Sequence, residues 1–254
     1  EGTSGKCLNL LENPKLFFKS LLEFLPSPPV FNFILDIFGK SVQQWVDSIH
    51  GDEILLSCLE ESQEPVVCCI LLILNELLTL SPSSEILRRL TQITTISQLF
   101  DVGIESPTIK VAQLSFQLLI SIFNRCHNND LDVIAQYFAS KSPQLCRYIT
   151  CHKTFGLDKK AACEILNVSL SPSYEISENI LDTISFVFDL FFEIPTNDFL
   201  HIACYNFFEG LSLFPELFSE FLEKHNVFNR LLEVENQRDT LKASFWGHCT
   251  QIEL

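Results

Sequence analysis

The chain has 254 residues, of which 47% are apolar and 19% charged, and its net charge is −15. So large an apolar share supports a buried core and excludes an intrinsically disordered chain. The acid excess excludes nucleic acid as the expected partner, since phosphate binding depends on clustered Lys and Arg, and points instead to basic protein surfaces.

There are 23 Phe against 8 Gly and 11 Pro, a balance that suits broad packed elements better than a loop-rich enzyme cleft. From the start of the chain the apolar residues recur at helical spacing, as in Leu16, Phe17, Leu21 and Phe24. Strict alternation is hard to find, so the expected class is all-α. Helix starts are marked by Pro behind a capping residue, at Asn13-Pro14, Glu64-Pro65, Ser106-Pro107, Ser142-Pro143 and Phe214-Pro215. The longest unbroken apolar run, Val66 to Leu74, is far short of the about 20 residues that cross a bilayer, so it reads as a buried helix and no membrane partner is expected.

Two stretches, 55–78 and 98–122, align on Pro65 and Pro107. In that register Val67, Ile70, Leu74, Leu77 and Leu78 correspond to Ile109, Ala112, Phe116, Leu119 and Ile120. One buried stripe thus recurs at a period near 40, as in armadillo and HEAT units, and the expectation is a single α-solenoid domain over 1–254 with roughly six repeats. Trp45 and Phe116 are expected in its core. From Cys146 to Tyr174 the pattern weakens, which predicts a long loop or an irregular repeat.

Beyond it, Ile180, Ile184, Val187, Phe188 and Phe191 form a new apolar stripe. Between Ala161 and Glu223 stand eleven acidic residues and no Lys or Arg. Glu178, Asp182, Ser185, Asp189 and Glu193 share one helical face, and Asp198, His201, Tyr205 and Glu209 share the next. Neither face carries the Lys at i,i+4 that would neutralise it, so the expected role is a protein-binding surface, set against an ordinary solvated one.

Reactive groups are sparse. No glycine-rich loop precedes a GK[ST], and HExxH and GxSxG are absent. The ten Cys include no CxxC, which suits reduced thiols in the cytoplasm, with the nucleus as a second compartment. Cys146, Cys151, His152 and Cys163 are the best zinc candidates, and Cys126-His127 is a weaker one. His248 and Cys249 are adjacent, so on a helix they point about 100° apart and form no catalytic pair. The expectation is no metal, no cofactor and no catalysis. No Met occurs, and the chain is expected to be a fragment of a longer product.

Three islands carry a family resemblance: SVQQWVDSIHGDEILLSCL (41–59), DLFFEIPTNDFLHI (189–202) and RLLEVENQ…FWGHCTQI (230–252). Trp45, Val46 and Asp47 are similar to a Trp-Leu-Asn/Asp element. Asp189 to Phe192 with Asn197 to His201, and Gly247 to Ile252, are similar to two later signatures. Together they resemble the SAPS family of regulatory subunits of protein phosphatase 6-type enzymes, with departures at Tyr205 and Gln251. The resemblance implies a non-catalytic solenoid that binds a Ser/Thr phosphatase catalytic subunit, together with further scaffold proteins, and directs substrate choice. Partner contacts are expected at Asp182, Asp189, Asp198, His201 and Glu209, then at Trp246 and His248. Within the same stretch Asn197 reads as an N-cap, and Phe199 and Leu200 read as core. Two other readings stand beside this one: a generic armadillo adaptor for basic peptides, which the lack of a Trp–Asn ladder disfavours, and a Cys- or zinc-dependent enzyme centred on Cys146 to Cys163.

Overall fold

A computed structural model of the chain describes residues 12–39, 50–80, 84–126, 129–171, 173–174 and 176–235. Among them there are thirteen helices and no strand. None of these helices is long and apolar enough to cross a membrane. The chain divides into two compact units, residues 1–131 and 132–254.

The first unit holds α1 (Pro14–Leu22), α2 (Pro28–Gly39), α3 (Gly51–Glu61), α4 (Glu64–Leu80), α5 (Ser84–Leu90), α6 (Ile93–Glu105) and α7 (Ile109–Phe123). α4 packs on α2, α3 and α7, while α6 packs on α3, α5 and α7. The start of α1 is as expected: Pro14 opens the helix and Asn13 Oδ1 accepts the Leu16 amide at 3.1 Å. Pro65 likewise lies in the first turn of α4. The aligned stripe is buried at both levels for Ile70 with Ala112, Leu74 with Phe116 and Leu77 with Leu119. Ile109, the first residue of α7, departs from it and is 67% exposed. Trp45 is outside the described residues.

The second unit contains α8 (Asn129–Thr150, which begins just before the boundary), α9 (Leu157–Val168), α10 (Glu178–Glu193), α11 (Asp198–Ser212), α12 (Pro215–Lys224) and α13 (Val227–Glu235). α11 is its centre, packed on α9, α10 and α12, and α12 packs on α13. Two sequence expectations are corrected here. Pro143 starts no helix and lies inside α8. It sits on the exposed side, while Ile134, Phe138, Leu145 and Ile149 continue one buried stripe through it, and that burial offsets the roughly 3 kcal/mol cost of an interior proline. The predicted irregular segment contains a regular helix, α9, whose Ala162, Ile165 and Leu166 are wholly buried.

Several side-chain ties join positions far apart in the sequence. Gln98 Nε2 donates to the Leu56 carbonyl at 3.0 Å and Arg125 donates to the Leu78 carbonyl, across 42 and 47 residues. In the second unit Asn197 Nδ2 donates to the Phe155 carbonyl at 2.8 Å, again across 42 residues.

Candidate interaction surface

α10 and α11 form a helical hairpin around the four residues Ile194–Asn197. Asn197 terminates the turn and starts α11, its Oδ1 accepting the Leu200 amide at 3.1 Å while its amide holds Phe155. In an antiparallel pair, residues equally far from the turn lie level with one another. Asp182 is therefore level with Glu209, and Glu193 with Asp198, the two levels being roughly 16 Å apart along the axes.

The acidic residues do not share one condition. Asp182, Asp198 and Glu209 are exposed and make no ion pair among the described residues. Asp198 stands in the first turn of α11, where the helix dipole favours its charge. Asp182 also lines a small cleft of about 340 Å³ with Cys146, Arg147, Thr150, Asn179 and Thr183. By contrast Asp189 is paired with Arg230 at 2.6 Å, and Glu193 with Lys153 at 2.9 Å. The expectation of uniformly unpaired acid is corrected at these two positions.

The expected surface role of His201 is also corrected. The residue is 0% exposed, with its ring centroid 4.8 Å from that of Phe191. Phe199, expected in the core, is 41% exposed. Burial on three sides of α11 explains both: with α9, α10 and α12 around it, the buried arc is wide enough to take in His201, and Phe199 falls in the remaining gap. Trp246 and His248 are outside the described residues.

A cluster that the sequence did not suggest lies where α12 and α13 meet α10. The Arg230 guanidinium lies 4.2 Å from the Phe192 ring centroid and 4.9 Å from that of Phe188, while also pairing with Asp189. His225 stacks on Phe221 at 4.4 Å and meets Ser185 Oγ through Nε2 at 2.9 Å. Because Ser185 spends its own proton on the Leu181 carbonyl at 2.8 Å, the ring nitrogen donates. Burial pulls the His225 pKa below its ordinary value, against the opposing pull of Asp189. Asp189 and Arg230 are 41 residues apart, and Ser185 and His225 are 40 apart, close to the offset between Pro65 and Pro107.

The zinc candidates are divided. Cys146 and Cys163 are buried, and burial raises both thiol pKa values. Cys151 and His152 are exposed, with Cys151 Sγ donating to the Tyr148 carbonyl at 2.9 Å. Among the described residues no three His, Cys, Asp or Glu side chains are grouped so as to hold a metal ion. Near Cys126, burial and Asp130 push the thiol up to about 11.

The charged start of α9 serves its packing. Asp158 accepts the Tyr148 hydroxyl at 2.9 Å, and Lys159 donates to the His152 carbonyl; both residues are buried. A scan of protein-family models finds no match to this chain, and a search of curated proteins finds none either.

Proposed function

We propose that this chain is a non-catalytic helical-repeat scaffold of the SAPS kind, which binds the catalytic subunit of a protein phosphatase 6-type Ser/Thr phosphatase and directs its substrate choice. The observation that carries the reading is the α10–α11 hairpin. Its turn and the adjoining ends of both helices make up the second resembling island. The hairpin buries its apolar stripe and, among the described residues, leaves Asp198 within the island and Asp182 and Glu209 outside it exposed without an ion pair. An acidic surface so arranged suits a basic region of a partner. The repeat register adds support, since a 42-residue period and side-chain ties of similar span fit roughly six stacked units of the armadillo or HEAT type. The cytoplasm and nucleus are the matching compartments.

The test is association of the full chain with a purified phosphatase 6-type catalytic subunit. Reversing Asp182, Asp198 and Glu209 to Lys should slow association, and rising salt should weaken wild-type binding, because such charges act over about 8–10 Å. Helicity and melting temperature should hardly move, as exposed substitutions usually shift stability by less than about 0.5 kcal/mol. Capture at the wild-type rate by the triple variant in low salt would remove these carboxylates from the interface. No capture by wild type would remove the phosphatase.

A further inference from the structure

The first unit contains a cleft of about 610 Å³ where the turn between α3 and α4 faces the turn between α6 and α7. The two turns are equivalent in the 42-residue register, Pro65 corresponding to Pro107, so the cleft is the gap between like parts of successive repeats. Its size falls within the about 300–1,000 Å³ of ordinary ligand clefts. Val67, Val102 and Val111 supply apolar wall, and Glu64, Asp101 and Glu105 stand among them. Among the described residues no Lys or Arg lines it, although Lys110 lies between the lining residues Thr108 and Val111 in sequence. Ile109, beside the lining residue Thr108, is one of the most exposed large apolar side chains described. Thr108 caps α7 without a side-chain hydrogen bond, so the first amides of that helix are left for another acceptor.

We propose that this cleft docks an extended segment of another protein in which lysine or arginine alternates with apolar residues. The apolar walls and Ile109 take the aliphatic side chains, and the three carboxylates take the cations. The first-turn amides of α7 face the segment's carbonyls. Charge selects against acidic segments, since three carboxylates without a cation in the lining repel them. The inference is independent of the phosphatase reading, because the residues concerned belong to the first unit and the acidic hairpin to the second.

The test is fluorescence anisotropy with the full chain and a short labelled peptide alternating lysine and leucine, with light scattering of the chain alone. The wild type should bind this peptide and not its glutamate–leucine counterpart. Asp101→Lys with Glu105→Lys should weaken binding by about tenfold or more, whereas Glu216→Lys with Glu220→Lys, which changes net charge equally in the second unit, should leave it unchanged. Serine in place of leucine in the peptide should weaken binding as well. Equal weakening by both charge-reversed pairs, or equal binding of the serine peptide, would show general attraction to an acidic protein and overturn the proposal. So would an absence of binding at about 1 mM peptide, or a dimer that Glu105→Lys dissociates, which would make a second copy of this chain the occupant.

Discussion

Gly103 sets the distance between α6 and α7. A Cβ built there would lie 2.7 Å from Cε1 of Phe116, whose side chain is wholly buried and has nowhere to retreat. In an ordinary helix interior Gly→Ala adds about 1 kcal/mol of stability. At this position the sign should reverse, and Gly103→Ala should cost about 1–3 kcal/mol in urea denaturation, the usual range for overpacking. Gly210 in α11 has a similar clash, 2.6 Å from Asn167 Oδ1. A Cβ at Gly210 would also lie 2.7 Å from Cδ1 and 3.1 Å from Cβ of Leu170, which is buried, so Gly210→Ala should also destabilise, by a similar margin of about 1–3 kcal/mol. A stabilised Gly103→Ala protein would mean that α6 and α7 are further apart than described.

At the scale of elements, Arg230 ties α13 to α10 in two ways, through Asp189 and through the rings of Phe188 and Phe192. Arg230→Lys keeps the charge facing Asp189 and loses the flat stacking on Phe188 and Phe192. It should therefore destabilise by about 0.5–1 kcal/mol, and a double-mutant cycle with Asp189→Asn should assign less than about 1 kcal/mol to the ion pair itself, which is partly exposed. α12 is tied to α10 through His225, and its sensitivity to pH follows from the depressed pKa. The unfolded chain binds this proton more readily than the folded one. The stabilisation is thus complete above about pH 6.5, the unperturbed value, and is lost as pH falls through the lower folded value. His225→Gln, which keeps a donor for Ser185, should lessen the fall in melting temperature between about pH 7 and pH 5. A variant with the wild-type pH profile would remove His225 from that response.

The helix starts at Pro14, Pro65 and Pro215 were legible because a proline in a first turn is a local signal. What escaped the sequence was set by neighbours. Pro143 carries the same local signal, yet the apolar stripe through α8 overrides it. α9 was hidden by Asp158 and Lys159, which look like solvated charges and are buried with partners from the preceding segment. On α10 and α11 the acidic face was correct for Asp182, Asp198 and Glu209. It failed for His201, because one-sided periodicity assumes one packed side and α11 is packed on three. The partners of Asp189 and Glu193 could not be found by looking four residues along a helix, since they lie 41 and 40 residues away.

For the whole molecule, the cysteines provide a probe of each unit separately. Cys58 is buried in the first unit, and Cys163 and Cys204 in the second, while Cys151 is exposed. Under native conditions iodoacetamide should modify Cys151 early and the buried thiols only as their own unit opens. Cys163 and Cys204 should react together, because α9 and α11, which carry them, pack against each other. Mass spectrometry of the digested protein reads each rate. Modification of Cys163 as fast as Cys151 would contradict the burial of α9.

The ties between distant side chains, at Gln98, Arg125, Asn197 and Arg230, each reach back only 40 to 50 residues. During synthesis, each of these side chains therefore emerges from the ribosome after the group it binds, a backbone carbonyl for the first three and the Asp189 carboxylate for Arg230, and none of these ties awaits a later segment. Low separation between partners favours fast folding, and domains form as units from the N-terminal side. Translation itself should then set the order of assembly: α7 can cover α4 as soon as it has been made, and the acidic hairpin can close only after the first unit has emerged.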